Sequence, residues 1–253
     1  MSSRITHVEP HIRESNYIRD LVFGFGDGVN TSLGIVAGVG GAIIAADVVI
    51  LAALIGMFTG TKAMAVQNYL AVKSQREILE SEIRREEYEM QTIPDNEREE
   101  IEDIYRGKGF EGEELTSIVS KITSNKDVWL KTMLTEELGL NLEIVGNPLK
   151  GALVMLGSFL LGGILPIIPY FAVKAGLMSS ITAIIIAIVI SVASSFIVGA
   201  LKGRMAKKSW IRRGIEMAGL GTGIALVGYG IGSELANAGI VNVPVAAGVC
   251  GGG

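Results

Sequence analysis

Residues Val48–Ile93 read VVILAALIGMFTGTKAMAVQNYLAVKSQREILESEIRREEYEMQTI, an apolar run that turns into a heavily charged one. The 33 residues from Thr61 to Ile93 contain neither glycine nor proline, so nothing in them breaks a helix. At about 1.5 Å per residue they form a rod of about 50 Å. That exceeds the roughly 30 Å hydrocarbon core of a bilayer. The stretch therefore predicts one continuous helix that starts inside a membrane and ends in water.

Working outward, the chain before this helix is apolar and the chain just after it is acidic. A mean hydropathy of +0.45 over the chain fits a membrane protein with a sizeable water-soluble part. The apolar segments are Leu21–Ile44, Val48–Val72, Leu149–Val173, Leu177–Leu201 and Ile211–Ile231, each long enough to cross with some tilt. The expected fold is an all-α integral membrane protein: five transmembrane helices and a helical insert continuing from the second span. In domain terms this gives a tail at 1–20, spans one and two at 21–72 and the insert at 73–148. Spans three to five follow at 149–232, and a second tail at 233–253. The polar N-terminus has no apolar core and does not read as a signal peptide.

Basic residues set the expected orientation. Three lie in the N-terminal tail, ten in residues 73–148 and six from Lys202 to Arg213. The turn after the first span has none, and the turn after the third has only Lys174. The N-terminus and insert are expected in the cytosol and the C-terminus outside or in a lumen. The single cysteine, Cys250, excludes an intramolecular disulfide and any cysteine-rich metal site.

Glycines recur at close-packing spacing, as Gly24-x3-Gly28 and Gly34-x3-Gly38 in span one and Gly219-x3-Gly223 and Gly228-x3-Gly232 in span five. Such pairs let backbones approach, within one chain or across a dimer. The glycine face of span one is the expected dimer contact. Pro166 and Pro169 in GGILPIIPY should distort the outer end of span three. The insert divides at Pro94, Gly107, Gly109 and Gly139 into the rod, Asn96–Arg106, Gly112–Ile122 and Lys126–Leu138. Ile101, Ile104, Leu115, Ile118, Val119, Ile122, Trp129, Leu130, Met133 and Leu134 recur at helical spacing, which marks a small folded domain.

The insert holds 19 of the 26 acidic residues. Glu86 and Glu89 share one helix face, as do Glu97 and Glu100. Folded together, with Glu137 nearby, these pairs would form an oxygen-rich cluster whose repulsion a divalent cation relieves. The plainer alternative is two solvated faces, since Arg84, Arg85 and Arg98 interleave with them. No histidine lies in residues 73–148, so the Glu-x-x-His motif of ferritin-like centres is absent. His7 and His11 in the tail could touch a metal, but with Pro10 between them and no partners the plainer reading is a loose tail.

Within the spans, Asp27, Asp47 and Lys62 are ionisable. Asp47 lies in a turn and reads as interfacial. Asp27 and Lys62 are costly in hydrocarbon, at least about 2.5–3.5 kcal/mol each. They are expected to pair with one another, with snorkelling of Lys62 as the alternative. Met64 beside them can ligate softer metals or merely pack.

The pieces RDLVFGFGDGVNTSLGIVAGVGGA (Arg19–Ala42), Met64, NYLAVKSQRE (Asn68–Glu77) and EDIYRGKGF (Glu102–Phe110) follow one another in order. WLKTMLTEELGL (Trp129–Leu140) and GGILPIIPY (Gly162–Tyr170) complete the series. Over about residues 17–232 this series resembles the vacuolar iron transporter family. The resemblance implies five spans, a homodimer in a lipid bilayer, and export of Fe2+ or Mn2+ from the cytosol in exchange for protons. Zn2+ and Co2+ are further candidate ions. It implies cytosolic metal ligands at Glu86, Glu89, Glu97, Glu100, Met133 and Glu137, and a translocation pathway with Asp27 and Met64, beside which Lys62 stands. It implies no enzymatic activity, no prosthetic group and no nucleic-acid partner. The membrane would be the cell membrane in a prokaryote and the vacuolar membrane in a eukaryote. This chain departs from the family pattern at four positions. Gly56 and Asn68 stand where relatives carry acidic residues, Leu134 where they carry methionine, and Lys62 where they are apolar. The alternative to a transporter is a membrane-anchored metal-binding or regulatory protein that has lost transport.

Overall fold

The computed structural model describes residues 11–42, 45–139 and 146–239, and among these there are helices and turns but no strand. His7, Cys250 and the tail from residue 240 onward lie outside the described residues. The helices are α1 (His11–Ala42), α2 (Ala46–Thr92), α3 (Pro94–Gly107), α4 (Gly112–Thr123) and α5 (Lys126–Thr132). After a π-helical turn (Met133–Glu137) come α6 (Pro148–Ile164), α7 (Ile168–Lys174), α8 (Ser180–Met205) and α9 (Trp210–Asn237). The 47-residue α2 is the uninterrupted rod that the sequence requires. Four helices are long and apolar enough to cross a membrane. The pair α6 and α7, bent by 43°, makes a fifth if it forms one span. The bend falls at Leu165–Ile167, with Pro166 inside it and Pro169 in the first turn of α7, where a missing N–H costs nothing.

The described chain divides into two compact units, one containing Tyr69–Pro148 and the other Ser15–Asn68 with the chain from Leu149 onward. In the second unit α8 turns its large residues out and its small ones in. On α8 the buried positions are Ala183, Ala187, Ser191, Ser195, Gly199 and Gly203, all four apart. Ile181, Ile185, Val189, Ile197 and Leu201 of the same helix are exposed. Water would penalise this arrangement, whereas lipid tails are as apolar as leucine, and small residues gain most from close helix contact. The buried hydroxyl of Ser191 donates to the Ala187 carbonyl at 2.7 Å, which satisfies it within its own helix. Val36, Val49, Ala53, Met57, Phe159, Ile167 and Tyr170 form the main core cluster.

The glycine pairs of α1 are occupied within the chain. A side chain at Gly24 would meet Ser158 and Met155 of α6, and one at Gly28 would meet the Phe159 backbone. Gly34 and Gly38 lie against Gly228 and Gly232 of α9, backbone to backbone. The expected dimer contact on this face is therefore corrected, because α6 and α9 already cover it. Gly219 and Gly223, by contrast, face open space.

In the first unit, α3, α4 and α5 with the outer part of α2 enclose Met90, Ile101, Leu115, Val119, Ile122, Trp129 and Met133. Pro94 starts α3, where its missing N–H costs nothing. Asn125 caps α5 by accepting from the backbone N–H groups of Asp127 and Val128 at 3.0 and 3.1 Å. The expected single helix Lys126–Leu138 ends early, at Thr132. The next turn widens so that the Leu138 N–H donates to the Met133 carbonyl, five residues back, at 3.3 Å. Gly139 closes the turn with φ +62, a left-handed conformation that suits glycine.

Candidate metal centre

All six candidate ligands of the insert come from three neighbouring elements of one unit. Glu86 and Glu89 sit on α2, Glu97 and Glu100 on α3, and Met133 and Glu137 on the π turn that packs against α3. Single-turn π-helices recur at functional sites, because the extra residue shifts the side chains that follow it. Here the shift starts at Met133, which is fully buried beside Ile101.

Two of the carboxylates are where carboxylates are costly. Glu86 is 3% exposed and Glu97 2% exposed, and each has a buried oxygen with no hydrogen-bond partner. Burial, reinforced by Glu137, Glu89 and Glu100 and opposed by Arg85, pushes the Glu86 carboxyl up to about 7. Burial and then Glu100, Glu86, Glu89 and Glu137 push Glu97 to about 7 as well. Glu137 is raised by burial and by Glu100, with which it hydrogen-bonds, and by Glu89. Glu89 instead accepts from the Arg85 guanidinium at 3.0 Å on the exposed side. The plain picture of two solvated faces thus fits Glu89 but not Glu86 or Glu97.

The five carboxylates act on one another electrostatically without closing into a chelate. Among the described residues no group of three or more His, Cys, Asp or Glu side chains adopts a metal-holding arrangement. Like charges push apart until a cation or protons intervene. Glu86 and Glu97 each leave one buried oxygen free to accept a cation, and Met133 in the apolar cluster of the same unit carries a softer thioether donor.

The second unit holds the other candidates separately. Met64 is half-buried and packs on the main core cluster, which includes Met57. Thr61 donates to the Met57 carbonyl at 2.7 Å. Asp27 is half-buried on α1. Lys62 is exposed and, among the described residues, forms no ion pair with Asp27 or any other acid, which corrects the expected pairing. Two residues before Met64, Lys62 stands about 160° round the helix from it. At the other end of α2, Asp47 pairs with Lys174 of α7 at 2.7 Å.

One buried acid was not anticipated as functional. Asp20 is 3% exposed and accepts from Arg19 at 3.1 Å and from Asn68 of α2 at 3.3 Å. Gly151 of α6 leaves room for it, since a Cβ there would lie 2.9 Å from the carboxylate. The sequence signal is that Asp20 lies two helical turns before Asp27 on the same face. Deeper in the unit, Asn30 and Ser32 carry buried oxygens without partners. At Gly56 the space an acidic side chain would need is taken by Ile35 of α1.

The VIT family model matches residues 18–233. A vacuolar iron transporter of Centaurea cyanus is 31% identical over 72% of this chain and 74% of its own length. One from Plasmodium falciparum is 31% identical, covering 80% of this chain and 76% of its own. Vacuolar iron transporter 1 of Arabidopsis thaliana is 28% identical over 85% and 84%. The match runs from the start of the α1 span through the carboxylate insert to the last described turns of α9, and on that extent the chain belongs to the VIT family.

Proposed function

We propose that this protein is a divalent transition-metal transporter that moves Fe2+, with Mn2+ as a second substrate, out of the cytosol in exchange for protons. The observation that carries the reading is the pair of buried glutamates, Glu86 and Glu97, with unpartnered oxygens and carboxyl groups poised at about 7. A folded domain retains such groups at a cost, and a divalent cation removes that cost. Glu86, Glu97, Glu100, Glu137 and Met133 hold the metal on the cytosolic side, with Glu89 joining them once released from Arg85. Poised near 7, the carboxyls exchange protons for metal within the physiological range. In the membrane the ion meets Asp27 and Met64. The names of the relatives support iron as the cargo. The functional unit is a homodimer, with the N-terminus and insert in the cytosol. Its membrane is that of a vacuole or the cell surface.

A second reading, a membrane-anchored metal-binding protein without transport, is favoured by one feature. Gly56, where the family pattern leads one to expect an acid, has no carboxylate, and the Ile35 side-chain end of α1 packs there instead. Fe2+ uptake into proteoliposomes containing the full chain separates the two. A transporter accumulates metal above the protein-bound amount, whereas a binding protein saturates at its number of sites.

A further inference from the structure

The turn between α8 and α9 concentrates six cations against one paired acid. Lys202, Arg204, Lys207, Lys208, Arg212 and Arg213 are six of the chain's 22 basic residues, within twelve positions. From Leu149 to Gly239 the only acids are Glu216 and Glu234. Arg213 takes Glu216 at 2.6 Å. The other five are exposed and have no ion partner among the described residues. The opposite ends of the spans contrast with this, since Lys174 there is neutralised by Asp47.

The turn is built rather than loose. The Lys208 N–H donates to the Gly203 carbonyl at 2.9 Å and the Lys207 N–H to the Arg204 carbonyl at 3.2 Å. Lys207 adopts φ +52, a left-handed conformation uncommon for a residue with a side chain. Gly203 lies against Trp210 and Arg213, and the Phe196 and Trp210 rings meet edge to face at 6.4 Å. Trp210 is nevertheless 52% exposed. Both flanking helices are long and apolar enough to cross a membrane, so the turn falls at the headgroup level of the bilayer. A half-exposed tryptophan beside exposed cations at that level is the combination that interfacial anchoring uses.

We propose that the α8–α9 turn is a docking surface for anionic phospholipid headgroups, with Lys207, Lys208 and Arg212 on the phosphate and Trp210 against the upper acyl chain. Orientation alone would require only the charges, on a turn of any shape. The hydrogen-bonded turn with Lys207 left-handed and the exposed ring add a shaped surface, and with Glu216 already taken by Arg213 the other cations match the charge of lipid phosphate at this level.

The test uses the full chain in mixed micelles of phosphatidylglycerol or phosphatidylcholine, read by native mass spectrometry of retained lipid and by thermal unfolding. The wild-type chain should retain phosphatidylglycerol about five-fold or more over phosphatidylcholine, as expected for several cations at a charged headgroup. Its melting temperature should rise only with the anionic lipid. The K207Q/K208Q/R212Q variant should lose both effects, and the charge-keeping K207R/K208R variant should keep them. Equal retention of the two lipids by the wild-type chain overturns the proposal whatever the variants do. An undiminished preference in the glutamine variant overturns it too. If millimolar inorganic phosphate reproduces the thermal shift and displaces the lipid, the surface is a free-anion site and the lipid assignment fails.

Discussion

Replacing Glu97 with glutamine should stabilise the metal-free protein at pH 8 and weaken its metal complex. The folded-state carboxyl stands at about 7 against an ordinary value of 4.5. Between those values the folded state holds a proton that the unfolded state has released, so stability falls as pH rises through the window and the full penalty is present above about 7. At about 1.4 kcal/mol per pH unit the penalty is about 3 kcal/mol. Glu86 contributes a similar one, and the two are coupled, so they do not simply add. A glutamine amide removes the charge but must find its own partners, which leaves a net gain of about 1–3 kcal/mol at pH 8. For a folded unit of this size that corresponds to a rise of roughly 5–15 °C in melting temperature. The chain has two tryptophans, so Trp129 reports on the insert alone once Trp210 is replaced by phenylalanine. The expected result in chelator is a melting temperature that falls from pH 5 to pH 8 in the parent and much less in Glu97→Gln. A parent that melts independently of pH, or a variant that melts lower at pH 8, would refute the reasoning.

Met133→Leu conserves volume and should cost less than about 1.5 kcal/mol in stability. By calorimetry it should lower affinity for Zn2+ and Co2+ more than for Mn2+, which is harder; equal losses would remove the thioether from the ligand set. Gly232→Leu should abolish monodisperse protein on size exclusion, because its neighbour is the Gly38 backbone, while Gly219→Leu on the open face should behave as the parent does. Asn68→Leu deprives buried Asp20 of a donor and should cost about 1–3 kcal/mol in thermal unfolding. An unchanged melt would show that Arg19 suffices.

The features legible in the sequence were those set by local chemistry. The absence of glycine and proline from Thr61 to Ile93 dictated α2, and Pro94, Gly107, Gly109 and Gly139 cut the insert where the helices end. Pro166 and Pro169 marked the bend after Ile164. What remained hidden depended on partners. Gly-x3-Gly spacing implies close approach but cannot say to which helix, and for span one the answer is α6 and α9. The Asp20–Asn68 contact depends on the register of α1 against α2, which no periodicity encodes. Lys62 and Met64 are neighbours in sequence yet face opposite sides of their helix. In the site, helix spacing put Glu86 with Glu89 on α2 and Glu97 with Glu100 on α3. It could not separate the buried Glu86 and Glu97 from the Arg85-bound Glu89, nor foresee a π turn in WLKTMLTEEL.

The central claim is that buried carboxylates collect metal in exchange for protons and that the same chain carries it across the bilayer. The measurement that tests it most directly follows Fe2+ entry and internal pH together in proteoliposomes with an imposed pH gradient. The parent chain and a Glu86→Gln/Glu97→Gln variant are compared. The account predicts that the parent accumulates metal while protons move the opposite way, with uptake that slows as the external pH drops below about 7. It also predicts that the variant loses most uptake at low metal concentration and regains it at high concentration. Metal that binds without entering, or entry that leaves internal pH unchanged and is indifferent to both glutamates, would contradict it.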